Sequence, residues 1–531
     1  MRAAYLLMSL TLIASAALAQ SAREASVDLS KPWFGVHLPP GFAAEPAVRV
    51  GKREPRAAVA PNEEAAFTEL SGAMIRKDLE RIVAFSQESR SSREIGSGQL
   101  WGRVSGFASS AKTVDWAVAQ LRDAGISRVE SQTLVQDTKA SLWLPHSWEV
   151  RLLGDPALGA GSQDVVLESA LPIPPSSIPN GELTAPLVFV GTANPSLVEH
   201  LDVKGRIAVQ ITIPQGHMLF ERAAVTSRAQ ALMKRGAVAV LNLVRLPGNE
   251  RSRDFSNCGG PCFNLGGRDG LFLETVLDRA ADAGLSGQVR ARLRLQSQSH
   301  TKLTARNGIA VIPGSGDNSE SIVIDAHADA WFEGAGDNAD GLAVMLALAR
   351  HFAKPEHRLQ RTLVFIVSAG HHTPGLSGPR AFVQANPQLA KNAVLVMNIE
   401  HVAQRNFSPA RTVAADGYRH AVADSGEAPI VIGVTNRSAR LNAIIDTGAA
   451  RYGTNLVSEH SAMQSGETGG FEAIAAPKIT IMQAPPLYHT TGEVLDVIST
   501  PGLERMARFL AYFLKQTDAL SRDAMSARMT E

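Results

Sequence analysis

The feature that most constrains this chain is an alternation that begins near residue 321. Short apolar runs at Ser321 to Asp325, Thr362 to Ser368, Ala393 to Ile399 and Lys478 to Met482 are separated by stretches with helical spacing, such as Leu342 to Phe352. Apolar runs of strand length predict strands buried on both faces, and the helices between them predict the crossovers that parallel strands need. The expected fold class is α/β, a doubly wound core with a mixed, largely parallel sheet flanked by helices. In an open sheet of this kind chemistry gathers beyond the carboxyl ends of the strands, and the polar residues of this half fall there.

At 531 residues the chain is too long for one ordinary core. Before residue 300 the texture differs. From about 160 to 298, short apolar runs punctuated by Pro and Gly (Ala185 to Gly191, Gly205 to Ile211, Gly236 to Leu241) predict an inserted β-rich domain, with a helix over Phe220 to Arg235. Glu64 to Phe85 and Ala111 to Ala124 place apolar residues three and four apart, as helices packed on a sheet do. The expected organisation is an export signal over 1–19, an N-terminal arm or linker over 20–60, a discontinuous core domain over 61–159 and 299–520, the inserted domain over 160–298, and a C-terminal tail over 521–531.

The signal reading rests on Arg2, the apolar run Ala3 to Ala14 and Ala17-Leu18-Ala19 before Gln20, with cleavage expected after Ala19 and a periplasmic or secreted product. The run is shorter than the roughly 20 residues of a bilayer-spanning helix, and no later stretch could span, so no stable membrane span is expected. Lys plus Arg total 52 against 51 Asp plus Glu, a balance that disfavours nucleic acid and anionic membranes as partners. Cys258 and Cys262 share a turn-rich loop suited to a local disulfide in an oxidising compartment.

Immediately after the first core strand comes His327-Ala-Asp329, then a loop with Gly334 and Gly336 leading to Asp337-Asn-Ala-Asp340-Gly341 and an apolar helix. Imidazole and carboxylate are the usual ligands of a catalytic zinc ion, and a glycine turn can fold Asp337 back toward His327. A helix cap at Asp337 is the alternative use of the same residue. The third strand ends in Asn398-Ile-Glu400, and Leu487-Tyr488-His489 follows the last; both can reach the same rim.

This ordered set resembles the M28 family of zinc peptidases, and its arrangement is similar to the carboxypeptidase Q and glutamate carboxypeptidase branch with an inserted protease-associated domain. The resemblance covers most of residues 75 to 515. It includes Gly102-Arg-Val-Ser-Gly106, Thr113-Val-Asp-Trp116, Asn307 to Gly314 and Gly466-Glu467 through Pro477. It implies two zinc ions, with His327 on one, Asp337 bridging both, Glu400 completing the first where the family commonly has Asp, and His489 on the second. Asp329 would orient His327, and Tyr488 would donate to a developing oxyanion. The implied activity is exopeptidase hydrolysis by a metal-bound hydroxide, with a peptide or dipeptide as substrate. The inserted domain would restrict substrate size or mediate association, such as a homodimer.

One segment departs from the family. After Phe365 to Ser368, where the family presents Glu-Glu as general base and second-zinc ligand, this chain reads Ala369-Gly-His371-His372-Thr-Pro-Gly375. Counting from the strand sets His371 and His372 at those positions, and counting back from Gly375-Leu376 sets His372 and Thr373 there; His372 is expected to fill the ligand position and His371 the base, with Glu333 and Glu467 as the alternative carboxylates. A metal-retaining binding or scaffold protein, and an amidohydrolase acting on a non-peptide substrate, stay open as competing readings.

Overall fold

A computed structural model of the chain describes residues 27–39, 41–42, 49–50, 55–213, 218–246, 248–253, 257–316, 319–413, 419–461, 466–483 and 487–528. The expected export signal lies outside these residues. Among them, no helix is long and apolar enough to cross a membrane.

The core is an eight-stranded mixed sheet, in the order Leu456–Ser461, Ile430–Val434, Lys478–Gln483, Ala393–Ile399, Ser321–His327, Thr362–Ser368, Thr304–Ile312 and Arg128–Val135. The four central strands, from Lys478–Gln483 to Thr362–Ser368, run parallel; antiparallel pairings join them to their neighbours on both sides. Alternation along each central strand serves two layers. Ile322, Ile324 and Ala326 join Leu363, Phe365 and Val367 in one apolar cluster under helices Gly72–Ser92, Asp340–Ala353 and Thr500–Asp518. Val323, Val364 and Ile366 join Phe382 and Phe471 on the opposite face. Burial on both faces is why these strands read as unbroken apolar runs.

A second eight-stranded sheet collects Val165–Val166, Leu142–Leu153, Arg290–His300, Glu182–Gly191, Ile207–Thr212, Ala239–Val244, Cys262–Leu265 and Leu171–Pro172. It begins at Leu142, earlier than the expected boundary at 160, because Leu142–Leu153 pairs along its length with Arg290–His300. Two expectations for the flanks are corrected. Trp33 and Phe34, inside the expected arm, are buried in the core of this sheet, with Trp33 edge-on to Phe272. The expected tail contains a helix, Arg522–Ser526, capped by Ser521 and anchored by buried Met525. A three-stranded sheet built on Arg405–Val413 and Arg419–Glu427, also unanticipated, takes Arg49–Val50 as its third strand. Cys258 and Cys262 are joined as a disulfide.

Candidate metal centre

The parallel register sets the carboxyl ends of the central strands side by side. His327 pairs with Ser368, and Asp325 with both Ile366 and Asn398, so the segments that follow these strands leave from one edge of the sheet. Each segment carries part of one cluster.

The loop after His327 is fastened on both sides. Trp331 and Phe332 insert into the apolar core of the second sheet, where Phe332 meets Trp101 edge-on. From below, fully buried Arg103 donates to the carbonyls of Ala328, Glu333 and Gly334 and to the Ser86 hydroxyl. Burial pulls the Arg103 guanidinium down to about 10, above any working pH, so it stays charged among these acceptors. Gly334 has a left-handed backbone, φ 51°, and a Cβ there would stand 2.4 Å from the Asp337 carbonyl. The turn therefore requires glycine and delivers Asp337 back over the strand end.

Asp337 is the centre of the cluster. On the Oδ1 side lie His327 Nε2 at 3.2 Å and His401 Nε2 at 3.2 Å; on the Oδ2 side lie His372 Nε2 at 3.2 Å and His489 Nε2 at 2.7 Å. All five side chains are almost wholly buried. Burial alone would raise the Asp337 carboxyl, but His372 and His401 hold it well below the usual range. Burial pushes His372 down to about 4, which favours its neutral, ligating form.

These contacts are close without being hydrogen bonds. His327 Nε2, His372 Nε2 and both Asp337 oxygens are buried and form none. Buried polar atoms left this way are costly unless something else satisfies them. Nitrogen and carboxylate donors converging on a shared point fit a metal ion. Two sets of three have ligand atoms mutually within 4.8 Å, His327, Asp337 and His401 in one and Asp337, His372 and His489 in the other. The residues present therefore fit a pair of zinc ions sharing Asp337.

The other residues singled out from sequence occupy a surrounding layer. Glu400 Oε1 is 3.9 Å from His327 Nε2 and accepts from Asn398 Nδ2 and the Glu467 amide, so its contact with the cluster is longer than that of its neighbour His401. Asp329 orients His327 through its backbone carbonyl, 3.0 Å from Nδ1, while its carboxylate accepts from the His372 amide. The Tyr488 ring stacks on His489 with centroids 3.7 Å apart. His371 stacks on His327 at 4.1 Å, and its Nδ1 lies 2.7 Å from Glu467 Oε1. Burial opposes the charged imidazolium, yet the Glu467 hydrogen bond and nearby carboxylates hold His371 well above the usual histidine range. Glu333 is not brought in, because its carboxylate faces Gln87 on helix Gly72–Ser92.

His401 was not anticipated from sequence. Successive strand residues point to opposite faces, so a residue next to Glu400 reads as turned away. A left-handed backbone at His401, φ 49°, overrides that alternation. The only available signal was an imidazole directly after the strand-end carboxylate.

Residues 307–514 match the model of Peptidase family M28. A probable glutamate carboxypeptidase of Arabidopsis thaliana is 25% identical over 218 residues, 40% of this chain and 29% of that protein, so the match spans less than a third of the relative. Among solved structures, a peptidase M28 precursor from Shewanella amazonensis matches with a TM-score of 0.60 at 18% identity, over 87% of this chain and 99% of that one. A zinc aminopeptidase from Bacillus subtilis gives 0.56 at 15% identity, covering 86% and 98%. At these identities the likeness to solved structures is one of fold. The cluster centred on Asp337 thus lies within the segment, 307–514, that matches the model of Peptidase family M28.

Proposed function

We propose that this chain is an exported, zinc-dependent exopeptidase that hydrolyses an amide bond near a peptide terminus, with His371 acting as general base. The observation that carries this reading is the position of Asp337, with two imidazole nitrogens facing each carboxylate oxygen. Bound zinc supplies Lewis acidity at the scissile carbonyl and lowers the pKa of a nucleophilic water.

The chain's own residues have separate tasks. His327 and His401 face one side of Asp337, and His372 and His489 the other, so these five side chains would hold the metal, with Asp337 contributing to both sets. The charge of bound zinc would oppose the imidazolium that the carboxylates favour, leaving His371 neutral to accept the proton given up during attack and return it to the leaving amine; Glu467, on Nδ1, holds the ring in one tautomer. The Trp331 ring flanks the cluster, 6.1 Å from the His372 ring, and with Phe332 packs into the second sheet, which we read as a protease-associated type of insertion limiting access.

Purified protein is expected to contain zinc and to cleave unblocked dipeptides, to lose activity in a strong chelator, and to regain it on zinc addition. Zinc-loaded protein inert toward a broad panel of free and blocked peptides would overturn the peptidase reading and leave the scaffold alternative. Cleavage of simple non-peptide amides alone would move the substrate class.

A further inference from the structure

We propose that His401, and not Glu400, is the third donor of the first metal half-site, and that Glu400 instead fastens the turn presenting Glu467 to His371. This deepens the metallopeptidase reading and rests on it.

Three observations carry it. First, His401 Nε2 lies 3.2 Å from Asp337 Oδ1, whereas the nearest ion-pair contact of Glu400 to the cluster is 3.9 Å, to His327 Nε2. Second, the segment holding His401 is anchored to the turn that carries Asp337. The His401 amide donates to Asn338 Oδ1, and the Val402 and Ala403 amides donate to Asp340 Oδ2 at 3.0 and 2.8 Å. Bridging acceptor and imidazole are thus set by one hydrogen-bonded unit, which also sustains the unfavourable left-handed backbone at His401. Third, the Glu400 carboxylate already has work. It accepts from Asn398 Nδ2 at 2.9 Å and from the Glu467 amide at 3.2 Å. Gly466 packs so closely that a Cβ there would stand 2.3 Å from Glu400 Oε1.

The strand-end donor has therefore moved one residue along the chain. The carboxylate released by that move links through the Glu467 amide to the carboxylate that grips His371. With His327 and His401 on one side of Asp337 and His372 and His489 on the other, each half-site draws two nitrogens and a share of one carboxylate. Such nitrogen-rich sites favour zinc over magnesium or manganese.

The test is zinc content after equilibrium dialysis of wild-type protein, His401→Ala and Glu400→Gln, with thermal unfolding in chelator as the control for folding. Wild type and Glu400→Gln should each retain two zinc equivalents, while His401→Ala retains one. Gln at 400 keeps the oxygen that Asn398 and Glu467 donate to, so its fold should hold. Loss of an equivalent from Glu400→Gln, or retention of both by folded His401→Ala, overturns the assignment. If His401→Ala does not fold, the Glu400→Gln result decides alone. Wild type that binds no zinc would sink the metallopeptidase reading as well, which distinguishes that failure from an error confined to His401.

Discussion

His371 Nδ1 stands 2.7 Å from Glu467 Oε1, while the imidazole lies flat against His327 with ring centroids 4.1 Å apart. The base position is thus an imidazole gripped on its far nitrogen by a carboxylate. If this dyad handles the proton, His371→Ala should lower kcat by about 100 to 10,000-fold, and Glu467→Gln by ~100-fold. Zinc content should be unchanged in Glu467→Gln. Equal kcat in wild type and His371→Ala, both fully metal-loaded, would assign the base elsewhere.

Gly341 ends the turn that starts at Asp337, and its place is sterically closed. A Cβ there would stand 2.6 Å from the Ile399 carbonyl and 2.2 Å from Asn338 Oδ1, the oxygen that accepts the His401 amide. Gly341→Ala must separate the helix start from the strand end, at a cost of about 1 to 3 kcal/mol. The expected outcome is a lower urea midpoint in chelator together with weaker zinc binding. A variant with unaltered stability and zinc affinity would show that the turn yields freely.

Arg103 gives the early Gly-Arg-Val-Ser segment a physical meaning. Its guanidinium satisfies three carbonyls of the loop between His327 and Asp337. Arg103→Met keeps the bulk and removes every donor, leaving buried acceptors unpaired, so destabilisation of ~3 kcal/mol or more is expected. Arg103→Lys restores the charge without the planar fork and should recover only part of the loss. Denaturant midpoints measure both, and a Lys variant matching wild type would show that charge alone matters.

Periodicity made the core legible. Thr362–Ser368 and Ala393–Ile399 coincide with their apolar runs because burial on both faces leaves no polar position to blur the ends. The approach of Asp337 to His327 was legible because a glycine-bearing loop after a strand can fold back over its own strand end. Three features were not. Leu142–Leu153 is continuous with the strands of the second sheet only through its pairing to Arg290–His300, far away in sequence. Trp33 and Phe34 look like aromatic residues in a Pro-rich arm until a distant core receives them. His401 depends on a positive-φ backbone that is uncommon outside glycine and that no local pattern signals.

Acid should weaken the fold through a second histidine group, away from the metal cluster. His351 Nδ1 lies 2.8 Å from Glu69 Oε1, Lys354 Nζ reaches the other Glu69 oxygen at 2.6 Å, and His357 stacks on the His351 ring at 4.0 Å. Burial pushes His351 down to about 4, outweighing the pull of Glu69. An unfolded histidine titrates near pH 6.5, so between that value and about 4 the unfolded chain binds the extra proton, and stability falls as pH falls. Although burial would raise Glu69, its bonds to Lys354 and His351 hold it below its usual value, so it adds a loss of the same sign at still lower pH. From about pH 7 to about pH 5 the histidine contribution amounts to about 2 kcal/mol. Urea midpoints of wild type and His351→Gln at both pH values should show a shallower pH slope in the variant; identical slopes would mean that His351 titrates as it does in the unfolded chain.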